Sequence, residues 1–300
     1  MKRLNPRVWA CGLLLSVILA VTAAGCLRGP QPSAPPQSEL ATVSGALRVH
    51  FIDVGQGDCI LVQIPGPRTM LIDAGDSSNG QTAVRYLKAT GIRAIDDLVV
   101  THPHADHIGG MIDVLGAFDV GNVYMPRTTH STATYEELLR AIKKKGLFIT
   151  EARAGQGILR AANLDISFVA PHGKEYDDLN DWSAVGRIQY GDTVFLFMGD
   201  AGARAEEEML LSPAVSPRAN VLKVGHHGSG GSSSAIFLSA VSPQYAVISV
   251  GAGNPFGHPS KGTLARLADV KAQVYRTDIH GTVVIGSDGR RITVETERQE

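Results

Sequence analysis

Leu98-Val99-Val100-Thr101-His102-Pro103-His104-Ala105-Asp106-His107-Ile108-Gly109-Gly110 is the stretch on which the reading of this chain turns. Its apolar opening predicts a short buried strand, and four metal-capable side chains follow within six residues: His102, His104, Asp106 and His107. Such density is costly in a core, where unpaired polar groups are penalised, and a surface does not need it. On a loop, 102 and 104 can face one way while 106 and 107 face another. One segment can then serve two ions, and imidazole and carboxylate are the donors that divalent metals take from proteins.

Two ions need a shared carboxylate and at least one more histidine. Phe197-Met198-Gly199-Asp200 ends an apolar run in a carboxylate. Asp200 is expected to bridge, the competing role being a helix N-cap. Val221-Leu222-Lys223-Val224 runs into Gly225-His226-His227-Gly228-Ser229, and Gly257-His258-Pro259-Ser260 follows the next predicted strand. Strand ends on one edge of an α/β sheet converge on a common site. His226 is expected as the remaining metal ligand. His227 and His258 are left for phosphate contact or for protonating a leaving group, and Asp106 joins them in the catalytic set. His50, His130, His172 and His280 lack comparable neighbours and read as structural.

Working outward, strands are predicted over 47–54, 59–64, 69–72, 98–100, 120–125, 164–170, 184–190, 193–198, 220–224 and 245–250, with three short strands closing the chain. Helices are predicted over 82–89, 108–115, 131–145, 204–211, 233–240 and 261–267. The clearest helix is 131–145, where Tyr135, Leu138, Leu139 and Ile142 make one apolar stripe. Ser131 or Thr132 can cap it, and Lys143-Lys144-Lys145 complement the negative end of its dipole. Two groups of strands with helices, without regular βαβ alternation, predict a four-layer αββα sandwich over 46–300.

Composition narrows the function classes. Hydrophobic residues are 44% and charged residues 19%, which excludes wholesale disorder. Lys2, Arg3 and Arg7 precede an uncharged apolar run ending in Ala23-Ala24-Gly25-Cys26. This predicts a signal peptide over 1–25, with Cys26 lipidated and a Pro-rich tether over 26–45; an uncleaved membrane helix and plain secretion are the alternatives. Removing those three basic residues from 28 leaves 25 against 29 acidic ones, a net charge of −4 that argues against nonspecific polynucleotide binding. Cys59, in Cys59-Ile60-Leu61-Val62, reads as a buried core thiol.

These motifs resemble the metallo-β-lactamase superfamily, and more closely the metallohydrolase domain of ComEC-type DNA-uptake proteins. The resemblance rests on Phe51-Ile52-Asp53-Val54-Gly55-Gln56-Gly57-Asp58, Leu71-Ile72-Asp73-Ala74-Gly75, the histidine segment, Met198-Gly199-Asp200-Ala201, Leu222-Lys223-Val224-Gly225-His226-His227-Gly228-Ser229 and Val250-Gly251-Ala252-Gly253-Asn254. It implies the αββα fold, two divalent ions at one edge of the sheets, and Asp73 bracing the metal loop. Many relatives carry a further histidine ahead of the bridging aspartate. Here Leu179-Asn180-Asp181-Trp182-Ser183 has none. Asn180 or Asp181 would supply an oxygen ligand, or the first metal lacks one; an oxygen-richer site would favour manganese over zinc. The multi-span channel of ComEC has no counterpart in this chain, so a transport role does not carry over.

The expected function is therefore a surface-tethered, extracytoplasmic, dinuclear hydrolase of phosphodiesters, DNA or RNA included, in which a metal-bridged hydroxide attacks phosphorus. The alternatives are a small-molecule phosphodiesterase, a phosphocholine esterase, or a non-catalytic protein with its metals kept as a clamp. The expected attachments are two ions (zinc or manganese), a phosphodiester substrate and the membrane through the lipid, with no protein partner.

Overall fold

The computed structural model describes residues 43–213 and 216–299. The signal segment, Cys26 and the tether up to residue 42 lie outside the described residues. Among the described residues, no helix is long and apolar enough to cross a membrane.

The first half supplies β1 (Leu47–Phe51), β2 (Ile60–Ile64), β3 (Arg68–Ile72), β4 (Ala94–Val99), β5 (Asp119–Met125) and β6 (Ile149–Glu151). Its helices are α1 (Gly80–Ala89), α2 (Ala105–Ile108), α3 (Met111–Ala117) and α4 (Ala133–Lys144). The second half supplies β7 (Gly157–Ala161), β8 (Leu164–Phe168), β9 (Gly186–Tyr190), β10 (Thr193–Phe197), β11 (Val221–Lys223), β12 (Tyr245–Ile248) and β13 (Gln273–Arg276). With it come α5 (Ala203–Leu211), α6 (Ala235–Val241), α7 (Lys261–Asp269) and α8 (Thr277–His280), then β14 (Val283–Ser287) and β15 (Ile292–Thr296). One sheet has the order β15-β14-β1-β2-β3-β4-β5-β6, the other β13-β12-β11-β10-β9-β8-β7. The last hairpin thus crosses back to flank β1.

Side-chain alternation along the strands builds the layers. Leu47, Val49 and Phe51 of β1, Ile60, Val62 and Ile64 of β2, and Phe195 and Phe197 of β10 all enter one core between the sheets. The intervening Leu61, Leu71 and Leu98 face outward and meet Leu87 of α1, Val114 of α3 and Leu138 of α4. On the other side Leu196, Leu222 and Ala246 meet Met209 of α5, Phe237 of α6 and Leu267 of α7. Three separate cores between four layers make this an αββα sandwich. Cys59 is free and lies in the outer core of the first sheet, as its apolar context predicts.

Three local departures have physical causes. The predicted helix 108–115 is two helices, broken at Gly109-Gly110. The break seats this junction on the 74–77 loop: Gly110 N–H donates to Gly75 O (2.9 Å), and a Cβ at Gly110 would collide with Ala74 O. The first strand ends at Phe51 rather than 54. Strands β6 and β7 carry no buried side chains, so no apolar alternation announces them. In α4, Thr132 is the capping residue, its Oγ1 accepting from Tyr135 N–H.

The edge that matters follows from strand direction. Strands β3 to β6 are mutually parallel, and so are β10 to β13. Strand β8 is antiparallel to β9, which is antiparallel to β10, so β8 runs with β10. The loops after β3, β4, β5, β6, β8, β10, β11 and β12 therefore each leave from the carboxyl edge of their sheet.

Phe197 is 1% exposed and lies between Phe51 and Phe195, with ring centroids 6.3 and 6.5 Å away. Phe197→Ala should lower the unfolding free energy in urea by about 3–5 kcal/mol. Ile236→Ala, at a site 76% exposed, should change it by about 0.5 kcal/mol or less.

Candidate metal centre

Asp200 follows β10, and its carboxylate is the point on which the histidines converge. Oδ1 lies 3.3 Å from His107 Nε2 and 3.4 Å from His227 Nε2. Oδ2 lies 3.8 Å from both His102 Nε2 and His226 Nε2. Each oxygen thus addresses a different pair of imidazoles. On the Oδ1 side Asp106 joins the group, its Oδ2 3.4 Å from His227 Nε2 and 4.0 Å from His107 Nε2. On the Oδ2 side His104 joins, its Nδ1 2.9 Å from His102 Nε2. Asp200 does not cap α5, whose N-cap is Gly202. Its backbone N–H donates to the buried Ser183 Oγ (3.1 Å).

The outer hydrogen bonds fix which ring nitrogen faces inward. Asp73, in a left-handed conformation after β3 (φ 56°), accepts from Thr101 N–H (2.9 Å), Thr101 Oγ1 (2.5 Å) and His107 Nδ1 (2.7 Å). With its hydroxyl hydrogen given to Asp73, Thr101 Oγ1 can accept from His102 Nδ1 (3.1 Å). His227 Nδ1 donates to Ser249 O (2.9 Å). In all three rings Nδ1 carries the outward hydrogen bond and Nε2 is turned to the centre, the arrangement that presents lone pairs to a metal.

His226 and His227 are consecutive left-handed residues after β11, at φ 47° and 51°. That turn lets neighbours in sequence reach opposite oxygens of Asp200. It requires close approach around it, and a Cβ at Gly228 would lie 2.6 Å from Pro259 Cβ. His258 stands beyond His226, ring centroids 5.4 Å apart, its Nδ1 buried without a hydrogen-bond partner. Asn180 N–H donates to Asp178 Oδ1 (2.9 Å). Asp181 joins none of the tight ligand groups, which are His102/His107/Asp200, Asp106/His107/His227 and Asp58/Asp73/His107.

Sequence reading missed Asp58 and Lys223. Both are buried and paired at 2.7 Å, and Asp58 Oδ1 lies 3.5 Å from His227 Nδ1. A lysine inside the apolar run 221–224 was the available signal. His130, read as structural, has its ring 6.1 Å from that of His104.

The family model for the metallo-beta-lactamase superfamily matches residues 52–252. This chain belongs to that superfamily. It is 31% identical to ComE operon protein 3 of Bacillus subtilis over 78% of this chain and 32% of that protein. It is also 31% identical to competence protein ComA of Neisseria gonorrhoeae over 95% of this chain and 36% of that one. The chain spans about a third of the length of these relatives. Among solved structures, CmlA, a diiron beta-hydroxylase from Streptomyces venezuelae, superposes with a TM-score of 0.51 at 16% identity, covering 81% of this chain and 54% of that one. At that identity the likeness is one of fold.

Superfamily membership implies divalent metal ions, and the residues fit them. His107 Nε2, Asp200 Oδ1 and His227 Nε2 are buried, mutually adjacent and without hydrogen-bond partners. Polar atoms are rarely left so in a folded interior, and three of them meeting at one place require a cation or protons. Without metal, protons fill the role. Burial opposes charge on both rings, but Asp200 and Asp73 outweigh it at His107 and hold that imidazole well above its ordinary value. At His227, Asp200 and Asp106 likewise outweigh burial and push the ring up to about 9. Burial and the neighbouring His107 hold His102 well below its ordinary value.

Metal must displace those protons. Loading the metal-free protein with Zn²⁺ at pH 7 should therefore release protons, seen as a buffer-dependent heat in calorimetry, and affinity should fall as pH is lowered from about 9. The sign for stability is opposite. A raised histidine stabilises the metal-free fold fully below 6.5 and loses that contribution as pH rises through about 9. His227→Gln should flatten that decline.

Proposed function

We propose that this chain is a metal-dependent hydrolase that cleaves phosphodiester bonds from two ions, zinc or manganese, held on opposite sides of Asp200. The observation that carries the reading is the Asp200 carboxylate with a separate pair of imidazoles at each oxygen. Asp106, His107 and His227 would hold one ion with Oδ1; His102, His104 and His226 would hold the other with Oδ2. This departs from the sequence expectation in giving His227 a ligand role. It also answers the missing histidine near 179–183, because His226 stands on that side of Asp200. When bound, the ions supply a polarising centre for phosphoryl oxygens and lower the pKa of a water.

The chain's own residues do the rest. Asp73, Thr101 and Ser249 hold the ring tautomers. The glycines of the 228–231 loop let backbone N–H groups approach nonbridging oxygens. His258 is left for the leaving group. Burial, then the neighbouring His226, hold it below its ordinary value, and a phosphate anion beside the ring would act in the opposite direction. Support for a phosphodiester over other hydrolysable bonds comes from the motif resemblance to ComEC-type DNA-uptake proteins, in line with the competence protein among the relatives.

We also propose that residues 1–25 are a signal peptide, that Cys26 carries the lipid, and that the domain works outside the cytoplasm at a membrane surface. Mass spectrometry of membrane-extracted protein should find a lipid-modified peptide beginning at Cys26. An intact Met1 peptide in the mature form would refute this.

Hydrolysis of bis(p-nitrophenyl) phosphate with Mn²⁺ or Zn²⁺ tests the enzyme directly, and Asp200→Asn should lose both metal and rate. His258→Ala should keep its metal and lose about 10²–10⁴-fold on an unactivated dinucleotide, the size of a proton-transfer contribution. It should lose far less on the activated diester. Equal losses on both substrates would remove His258 from the leaving-group role, and no turnover of either by metal-loaded protein would sink the phosphodiesterase reading.

A further inference from the structure

Four loops on the carboxyl edge wall a cavity of about 570 Å³ that the proposed chemistry does not use. Arg127 comes from the loop after β5, Arg153 from the loop after β6, Lys174 from the loop after β8, and Trp182 from the turn that leads to Ser183. The walls are tied together and to the metal centre. Ala154 N–H donates to Pro171 O (2.9 Å), Ala184 N–H donates to Thr101 O (2.9 Å), and Asp200 N–H reaches Ser183 Oγ. The cavity therefore opens beside the metal centre.

Its lining gathers three cations around one carboxylate. The three cations are exposed, and none makes an ion pair or side-chain hydrogen bond with another described residue. Glu151 is the only carboxylate among the lining residues, and it pairs with none of them. Trp182 is held in place: its Nε1 donates to Tyr176 O (3.3 Å), and the two rings meet edge to face at 5.2 Å. Three unpaired cations with a fixed aromatic side chain are the elements with which proteins hold a single strand, phosphates on the cations and a base on the ring. The chain's net negative charge does not oppose this, since only the local field at the cleft meets the strand.

We propose that this cleft is a second subsite that holds the phosphates and a base flanking the cleaved bond, making the substrate a single-stranded polynucleotide rather than a small diester. The proposal rests on the phosphodiesterase reading above. Arg127, Arg153 and Lys174 fix the strand, and Trp182 stacks a base, so the cleft sets which substrates are cut without taking part in bond breaking.

The test uses the full-length chain and a fluorescein-labelled oligothymidylate of about twelve nucleotides. Binding is read by anisotropy in EDTA across a salt series. The triple variant Arg127→Ala/Arg153→Ala/Lys174→Ala should bind about tenfold or more weakly, and its slope of log affinity against log salt should be shallower by about 2, that is about 0.7 per lost contact on a single strand. Trp182→Ala should weaken the base-bearing strand by about tenfold and leave an abasic strand unaffected. Hydrolysis of bis(p-nitrophenyl) phosphate, which carries no flanking phosphate or base, should stay within about twofold in the triple variant.

Unchanged strand binding in the triple variant overturns the subsite, and diester turnover in the same samples leaves the phosphodiesterase reading standing. Strand binding that the triple variant loses, in a protein that turns over neither substrate, leaves a strand-binding cleft but overturns its role as a substrate subsite together with the phosphodiesterase reading. Variant-sensitive binding to vesicles containing phosphatidylglycerol, without binding to the oligonucleotide, overturns the proposal in favour of a membrane contact.

Discussion

The metal edge depends on one buried ion pair. Lys223 ends β11 with its side chain wholly inaccessible, and its ammonium pairs with Asp58 Oδ2 at 2.7 Å. It also donates to Val224 O (2.9 Å) and Gly199 O (3.3 Å). One ion pair and two hydrogen bonds thus engage the ammonium. Each goes to a different segment: the loop between β1 and β2, the residue before Asp200, and the residue that enters the two-histidine turn. An uncompensated ammonium in this position would be costly, so the three segments must keep their mutual places for the charge to be tolerated. Elsewhere the two sheets meet mainly through apolar side chains, with a few polar ties such as Thr193 Oγ1 to Ser287 Oγ (2.7 Å) and Ala184 N–H to Thr101 O (2.9 Å).

Around that pair the site is built in shells of decreasing burial. Asp73, His102, His107, His227 and Asp200 are all inaccessible or nearly so, whereas His104, Asp106 and His226 open toward solvent. Burial raises the penalty on every unmatched charge, and the carboxylates and imidazoles answer one another. Hence Asp200 is held well below the ordinary carboxylate range against the opposing effect of burial, by His227 and His107. Asp73, by contrast, is raised by burial, with His107 pulling the other way. A carboxylate with two imidazoles at one oxygen stays charged, whereas one sunk behind a single ring is less strongly held so.

Much of this was legible in the sequence. Period-two alternation gave the strands that face the central core, such as β1, β2 and β10, because burial on one face leaves a pattern. The histidine segment, Asp200 and the two-histidine turn were legible because polar density at the end of an apolar run has few structural uses. What escaped has a common cause. The Lys223–Asp58 pair joins residues 165 positions apart in the chain, and spacing carries no trace of such a contact. Strand β6 is exposed and β7 is only partly buried, so neither leaves a clear alternating pattern. The division of labour between His226 and His227 was beyond sequence because it depends on backbone handedness, which a dipeptide of identical residues does not disclose. The unpaired arginines of the cleft were equally hidden, since charge composition says nothing about which cations remain unpaired.

The left-handed turn at His226-His227 has a further consequence. In an extended strand, adjacent side chains point to opposite faces, and reaching two sides of one carboxylate would take two separate segments. Here the backbone folds that task into two neighbouring residues, each held where non-glycine residues cost about 1–3 kcal/mol. The arrangement therefore has an internal tension. Glycine at either position would relieve the backbone and remove an imidazole in the same stroke. Backbone relief and the supply of an imidazole therefore pull in opposite directions at these two positions.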